Sequence, residues 1–171
     1  MNTNERSLDN RRLVVLLDTL REHPDDTLYE ELFTLIAESS YFYVAAHFDK
    51  QPVRQKDGSY LLQNDTHMTF PRLYDDNGVY YYPAFTSLDE LEKWQDEEVK
   101  NASILTLCID DFLDMLHHDE GTSGVVINPY TQSFLLFKGM MEHLYEVREK
   151  AHPFHRHTIL EHLYKNNKDA S

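Results

Sequence analysis

Cysteine is nearly absent from this chain: Cys108 is the single one in 171 residues. That excludes an internal disulfide framework and a cysteine-rich zinc site, and it fits a reducing compartment. Positive charge is also scarce. Lys and Arg total 16 against 30 Asp and Glu, and the net charge of −14 repels phosphate backbones and anionic lipid. Neither nucleic acid nor a membrane is expected as a partner. No apolar run approaches the ~18 residues needed to cross a bilayer. The stretch at 13–17, next to Arg11 and Arg12, is broken by Asp18 and Arg21 and has no small-residue cleavage site behind it, so it does not read as a secretory signal. A cytoplasmic location follows by elimination. With 41% hydrophobic and 27% charged residues, the composition is that of an ordinary folded protein, and its length suits one globular unit.

What is present is periodicity. Leu13, Leu16, Leu17 and Leu20 recur at i, i+3, i+4 and i+7, which predicts a helix starting near Ser7 or Asp9 and ending before Pro24. Asp25 or Asp26 can cap a second helix, in which Leu28, Leu32, Leu35 and Ile36 repeat the spacing up to Ser39. The two make an N-terminal helical hairpin. Tyr41, Phe42, Tyr43 and Val44 then favour a strand over 41–48. Residues 49–67 are polar and carry an Asp57-Gly58 turn signal, so they read as a long connection or a ragged hairpin.

Asn77-Gly78 supplies the positive φ angles of a hairpin turn between strands at 68–74 and 79–85. Ser87-Leu88-Asp89-Glu90 matches a capping box, predicting a helix over 88–99. The continuous apolar run at 104–109 suits a strand buried on both faces. From Asp110 a helix carries Phe112, Leu113 and Leu116, with Gly121 and Gly124 ending it. Asn128-Pro129 turns between strands at 125–127 and 133–137, and a long helix follows from about Gly139. Pro153 separates that helix from a terminal one carrying Ile159, Leu160 and Leu163. The pattern is α+β: a mixed or largely antiparallel sheet with hairpins, covered by helices. Residues 1–150 form the domain and 151–171 a His-rich helical extension of it.

Chemistry-bearing candidates are few, and each has a plain structural reading. Cys108 sits among Ile104, Leu105, Leu107 and Ile109, which suits a core thiol better than a nucleophile. Ser87 opens a helix after a strand, yet Glu90 already explains it as a cap. His152, His155 and His157 fall within six residues and could share a metal, or could simply flank an exposed turn at Pro153. Between Asp89 and Glu120, eleven acids face two lysines, a net −9 that is either a solvated face or a docking surface for a basic partner. In the Tyr80-Tyr81-Tyr82 run, alternation sends Tyr81 to the face opposite its neighbours, for core packing or for recognition. Asn128 and Pro129 are expected close to the strand end at Phe85 and Thr86, where strand-to-helix junctions collect at a sheet rim and clefts form. Phe85, Thr86, Asn128, Pro129 and Tyr81 are thus the candidate binding residues, and no residue is nominated as catalytic.

Several motifs share an order with a known family. Pro83-Ala84-Phe85-Thr86-Ser87 runs into an acidic helix with Leu91 and Trp94, followed by the 104–109 strand and Val126-Ile127-Asn128-Pro129. With the upstream helical hairpin and the aromatic strand at Tyr41, the chain resembles the SseB N-terminal-domain family over roughly residues 8–148, in a single-domain form. The resemblance implies a bacterial α+β domain and brings no catalytic residues and no cofactor. The functional expectation is a non-catalytic protein-binding or regulatory module whose partner is another protein or a further copy of itself. The alternative is a metal-dependent or hydrolytic enzyme using the C-terminal histidines.

Overall fold

The leucine period of the N-terminus folds as the sequence dictates in the computed structural model, which describes residues 8–151. Helix α1 (Arg11–Glu22) buries Leu13, Leu16, Leu17 and Leu20, each side chain contributing about 1.5–3 kcal/mol of burial before entropy is subtracted. Pro24 follows its end. Helix α2 (Asp26–Ser39) begins where the Asp25 carboxylate accepts the amide of Leu28 at 3.1 Å, and it packs back on α1 with Leu32 and Ile36 fully buried.

Strand β1 (Tyr41–Phe48) follows, and the polar connection after it is a small hairpin of β2 (Val53–Arg54) and β3 (Tyr60–Leu61). The segment expected as one strand over 68–74 is two. Phe70-Pro71-Arg72 interrupts it, so β4 (Met68–Thr69) pairs with β1 while β5 (Leu73–Tyr74) pairs with β6 (Tyr80–Ala84) through the Asn77-Gly78 turn. Proline has no amide to give a ladder, which is why the break falls there.

The predicted helix over 88–99 is also shorter. Helix α3 (Leu88–Glu92) ends within two turns, and a 3₁₀ turn (Glu97–Val99) follows once Trp94 has folded inward against Phe85. Ser87 caps α3 by accepting the Glu90 amide at 3.2 Å, but the Glu90 side chain pairs with Lys93 and Thr131 instead of closing the capping box.

Among the described residues strand β7 (Ser103–Cys108) pairs only with β1, and the apolar run expected to be buried on both faces instead shows alternating exposure, with Ile104 half exposed. Helix α4 (Ile109–His118) follows, and Gly124 lies not at its end but inside β8 (Thr122–Ile127). A Cβ on Gly124 would sit 2.2 Å from the carbonyl oxygen of Leu136 in β9 (Phe134–Phe137), so close strand approach requires glycine there. Helix α5 (Lys138–Ala151) ends the described chain.

The strands form two sheets, ordered β4-β1-β7 and β5-β6-β8-β9, beside the β2-β3 hairpin. All pairings are antiparallel except β6 with β8, so the α+β class holds with a mixed sheet. The two larger sheets meet where Tyr43 and Phe85 exchange backbone hydrogen bonds of 2.8 and 3.0 Å. Strand alternation divides the core. Phe42, Val44, Tyr82, Ala84, Val125 and Ile127 face α1, α2, α4 and α5, whereas Ala45 and Phe85 face Leu91 and Trp94 of the α3 segment.

Candidate functional site

The turn after β8 brings four of the five candidate binding residues to one rim. Asn128 adopts a φ of +46°, a left-handed conformation that asparagine tolerates better than most residues. Its amide donates to the Ala84 carbonyl at 2.9 Å, and its own carbonyl accepts from Thr131 and Ser133. The side chain is entirely buried. Its Oδ1 accepts from the Thr86 amide at 2.9 Å, and its Nδ2 donates to Thr86 Oγ1 at 2.8 Å and to Gln132 Oε1 at 2.9 Å. Asn10, at the start of α1, donates from Nδ2 to the carbonyls of Thr86 and Tyr41.

Two asparagines thus hold every polar group of Thr86 and lock α1, β1, β6 and the β8–β9 turn together. Phe85, Thr86 and Asn128 are buried and Pro129 is half-buried beside the exposed Tyr130. Tyr81 lies farther along β6, buried on the opposite face from Tyr82 and edge-on to Phe137. Asn10 escaped the sequence reading, because an asparagine before a helix signals a local cap while its side chain here serves Thr86, 76 residues away.

The nucleophile candidates are engaged structurally. Cys108 occupies the N-cap of α4, its sulfur accepting from the Asp111 amide while its own amide donates to Asp111 Oδ2 at 2.9 Å. Burial first, and the Asp111 charge second, push its thiol up to about 11, so the helix terminus does not activate it. Ser87 is spent on its cap. His152, His155 and His157 lie outside the described residues. Among the described residues, no group of three or more His, Cys, Asp or Glu is placed to hold a metal ion.

A cleft of about 740 Å³ opens between the β4–β5–β6 margin and the segment carrying the 3₁₀ turn. One wall is aromatic. Tyr74, 72% exposed, stands edge-on to Tyr80 with ring centres 5.9 Å apart. The Arg72 guanidinium lies 4.5 Å above the Tyr80 ring and donates to Asp119 Oδ2 at 3.1 Å and Thr122 Oγ1 at 2.9 Å. Asp119 Oδ2 also accepts from the Tyr82 hydroxyl at 2.7 Å and from Thr122 Oγ1 at 2.6 Å.

Partial burial works to raise the Asp119 pKa, but the hydrogen bonds from Thr122, Tyr82 and Gly121 and the Arg72 charge outweigh it and leave the carboxyl below its usual value. Burial and then the bond to Asp119 push the Tyr82 hydroxyl upward, so it stays a donor. The facing wall carries Asp96, Glu97 and Glu98, all exposed. Glu97 pairs with Lys100, whereas no lysine or arginine among the described residues comes within ion-pair distance of Asp96 or Glu98. In the sequence Tyr80 stands only as part of a three-tyrosine run, and nothing there marks Tyr74 or Arg72. Their meeting with residues 96–98 depends on the strap between β6 and β7, residues 87–102, folding back over the sheet, which no local signal encodes.

A second hollow of about 560 Å³ lies between the β2–β3 hairpin and residues of β4, β1 and β7, with an apolar lining that includes Tyr60, Leu62, Met68, Ile104 and Leu105. No helix among the described residues is long and apolar enough to cross a membrane. No curated protein and no solved structure matches this chain. The helical hairpin from Leu13 onward, the strap after β6 and the Ile127-Asn128-Pro129 turn fall within residues 13–141, the span matched by the SseB protein N-terminal domain, and the chain belongs to that family.

Proposed function

We propose that this domain is a non-catalytic binding module which recognises another protein, as a regulatory contact in the bacterial cytoplasm, through the cleft between Tyr74 and the 96–98 segment. The observation that carries this reading is the exposed Tyr74–Tyr80 pair on a cleft wall. Tyrosine offers a large contact area with a polar tip and few rotors to immobilise, which is why it anchors protein interfaces. Arg72, fixed by Asp119 and Thr122, stiffens that wall before any partner arrives.

In this reading Phe85, Thr86, Asn128, Pro129 and Tyr81 serve binding from beneath. Phe85 lies 6.0 Å from Trp94 and seats the strap that carries the acidic wall. Thr86, Asn128 and Pro129 fix the strap's origin, and Tyr81 buttresses the β6 face. The test is capture on immobilised protein with Tyr74→Ala as the control. Tyr74 is largely exposed, so the variant is expected to fold with an unchanged melting temperature while losing the protein that the wild type retains. Equal retention by both would overturn the proposal.

A further inference from the structure

We infer that the group received in this cleft is the cationic side chain of a lysine or arginine borne by an extended segment of the partner, an inference that rests on the binding reading above. The first argument is charge. Asp119 neutralises Arg72, so the lining carries the carboxylates of Asp96, Glu97 and Glu98, of which only Glu97 has a lysine or arginine partner among the described residues. A cleft with excess negative charge repels an acidic segment, and an apolar side chain placed there would strip water from carboxylates without replacing its hydrogen bonds. A cation meets both needs.

The second argument is independent of the acids. Arg72 already lies over the Tyr80 ring, so the aromatic wall demonstrably accepts a guanidinium on a ring face. Tyr74, beside it and largely exposed, presents a comparable ring to a cation arriving from outside. The third argument is shape. The cleft volume of about 740 Å³ admits a long side chain together with some of its backbone. Leu73 and Tyr74, which line it, form the outermost strand of their sheet, so an extended chain running past them meets backbone donors and acceptors left over from the ladder.

The experiment titrates the full chain into a fluorescein-labelled peptide of alternating Lys and Thr, with a Glu-Thr peptide as the counterpart, and follows anisotropy. Saturable binding of the Lys-Thr peptide is expected, weakened at least about tenfold by Asp96→Asn with Glu98→Gln and also weakened by Tyr74→Ala. Asn at 96 keeps an acceptor for the Glu98 amide, so the turn is preserved. Asp89→Asn with Glu92→Gln removes the same charge from the same strap outside the cleft lining, and it should leave affinity within about twofold. Absence of saturable binding, binding of the Glu-Thr peptide, or equal weakening by the Asp89 and Glu92 changes would each overturn the inference. If the Lys-Thr peptide fails while partner capture still depends on Tyr74, the cation inference falls alone and the binding module stands.

Discussion

At the scale of single residues, Asn128 does more for the fold than any surface charge. Alanine there would leave the Thr86 amide without its acceptor, at about 1–3 kcal/mol, and would remove the Nδ2 donor from Thr86 Oγ1 and Gln132 Oε1, at about a further 0.5–1.5 kcal/mol. Asn128→Ala is therefore expected to lower stability by about 3 kcal/mol in urea titrations, with the native fold retained. Asp111 tests the opposite sign. Burial raises its pKa, one oxygen accepts from Cys108, and the buried Oδ1 has no hydrogen-bond partner among the described residues. A carboxyl whose folded pKa lies above its unfolded value near 3.8 costs stability as pH rises through the folded value, and the cost vanishes below the unfolded one. Asp111→Asn keeps an acceptor for Cys108 and removes the charge. Its melting temperature relative to the wild type is expected to rise between pH 4 and pH 7, and a difference that falls with pH would refute this account. Asn128 and Ser87 were legible in the sequence because turn and cap chemistry is local. Asn10 and the unpartnered Asp111 oxygen were not, since both depend on what lies across the fold.

At the scale of elements, helices were read best where their own period decided them. The four leucines of α1 and the Asp25 cap of α2 require no knowledge of the rest of the chain. The failures share a cause: tertiary partners overrode the local pattern. Pro71 divided one expected strand between two sheets, and Trp94 cut the expected helix short by turning toward Phe85. The apolar run at 104–109 reads as a strand buried on both faces, yet β7 alternates in exposure and nothing pairs with its outer side among the described residues. Helix α5 is anchored by a buried ion pair. Arg148 lies 2.7 Å from Asp110 of α4 and donates to the Ala37 carbonyl of α2 at 3.1 Å, with both charged side chains about nine-tenths buried. Removing the cation leaves a buried carboxylate uncompensated, so Arg148→Ala should cost about 3–5 kcal/mol by chemical denaturation. A loss below about 1 kcal/mol, the usual worth of a surface pair, would show that water reaches Asp110 after all.

At the scale of the molecule, the acidic quarter of the sequence does not survive as one surface. Asp89, Glu92, Asp96 and Glu98 lie exposed on the strap, Asp110 and Asp111 are buried at the start of α4, and Asp119 is bound to Arg72 and Tyr82. The chain disperses its charge because the strap and α4 cover opposite faces of the sheets. Among the described residues the sheets themselves are joined along the backbone by one bridge, Tyr43 with Phe85. Phe85 is also the ring against which Trp94, the single tryptophan of the chain, is packed. The seam therefore carries its own optical probe. If one half of the fold slid past the other, solvent would reach the indole and redden its emission while the far-ultraviolet helical signal stayed unchanged.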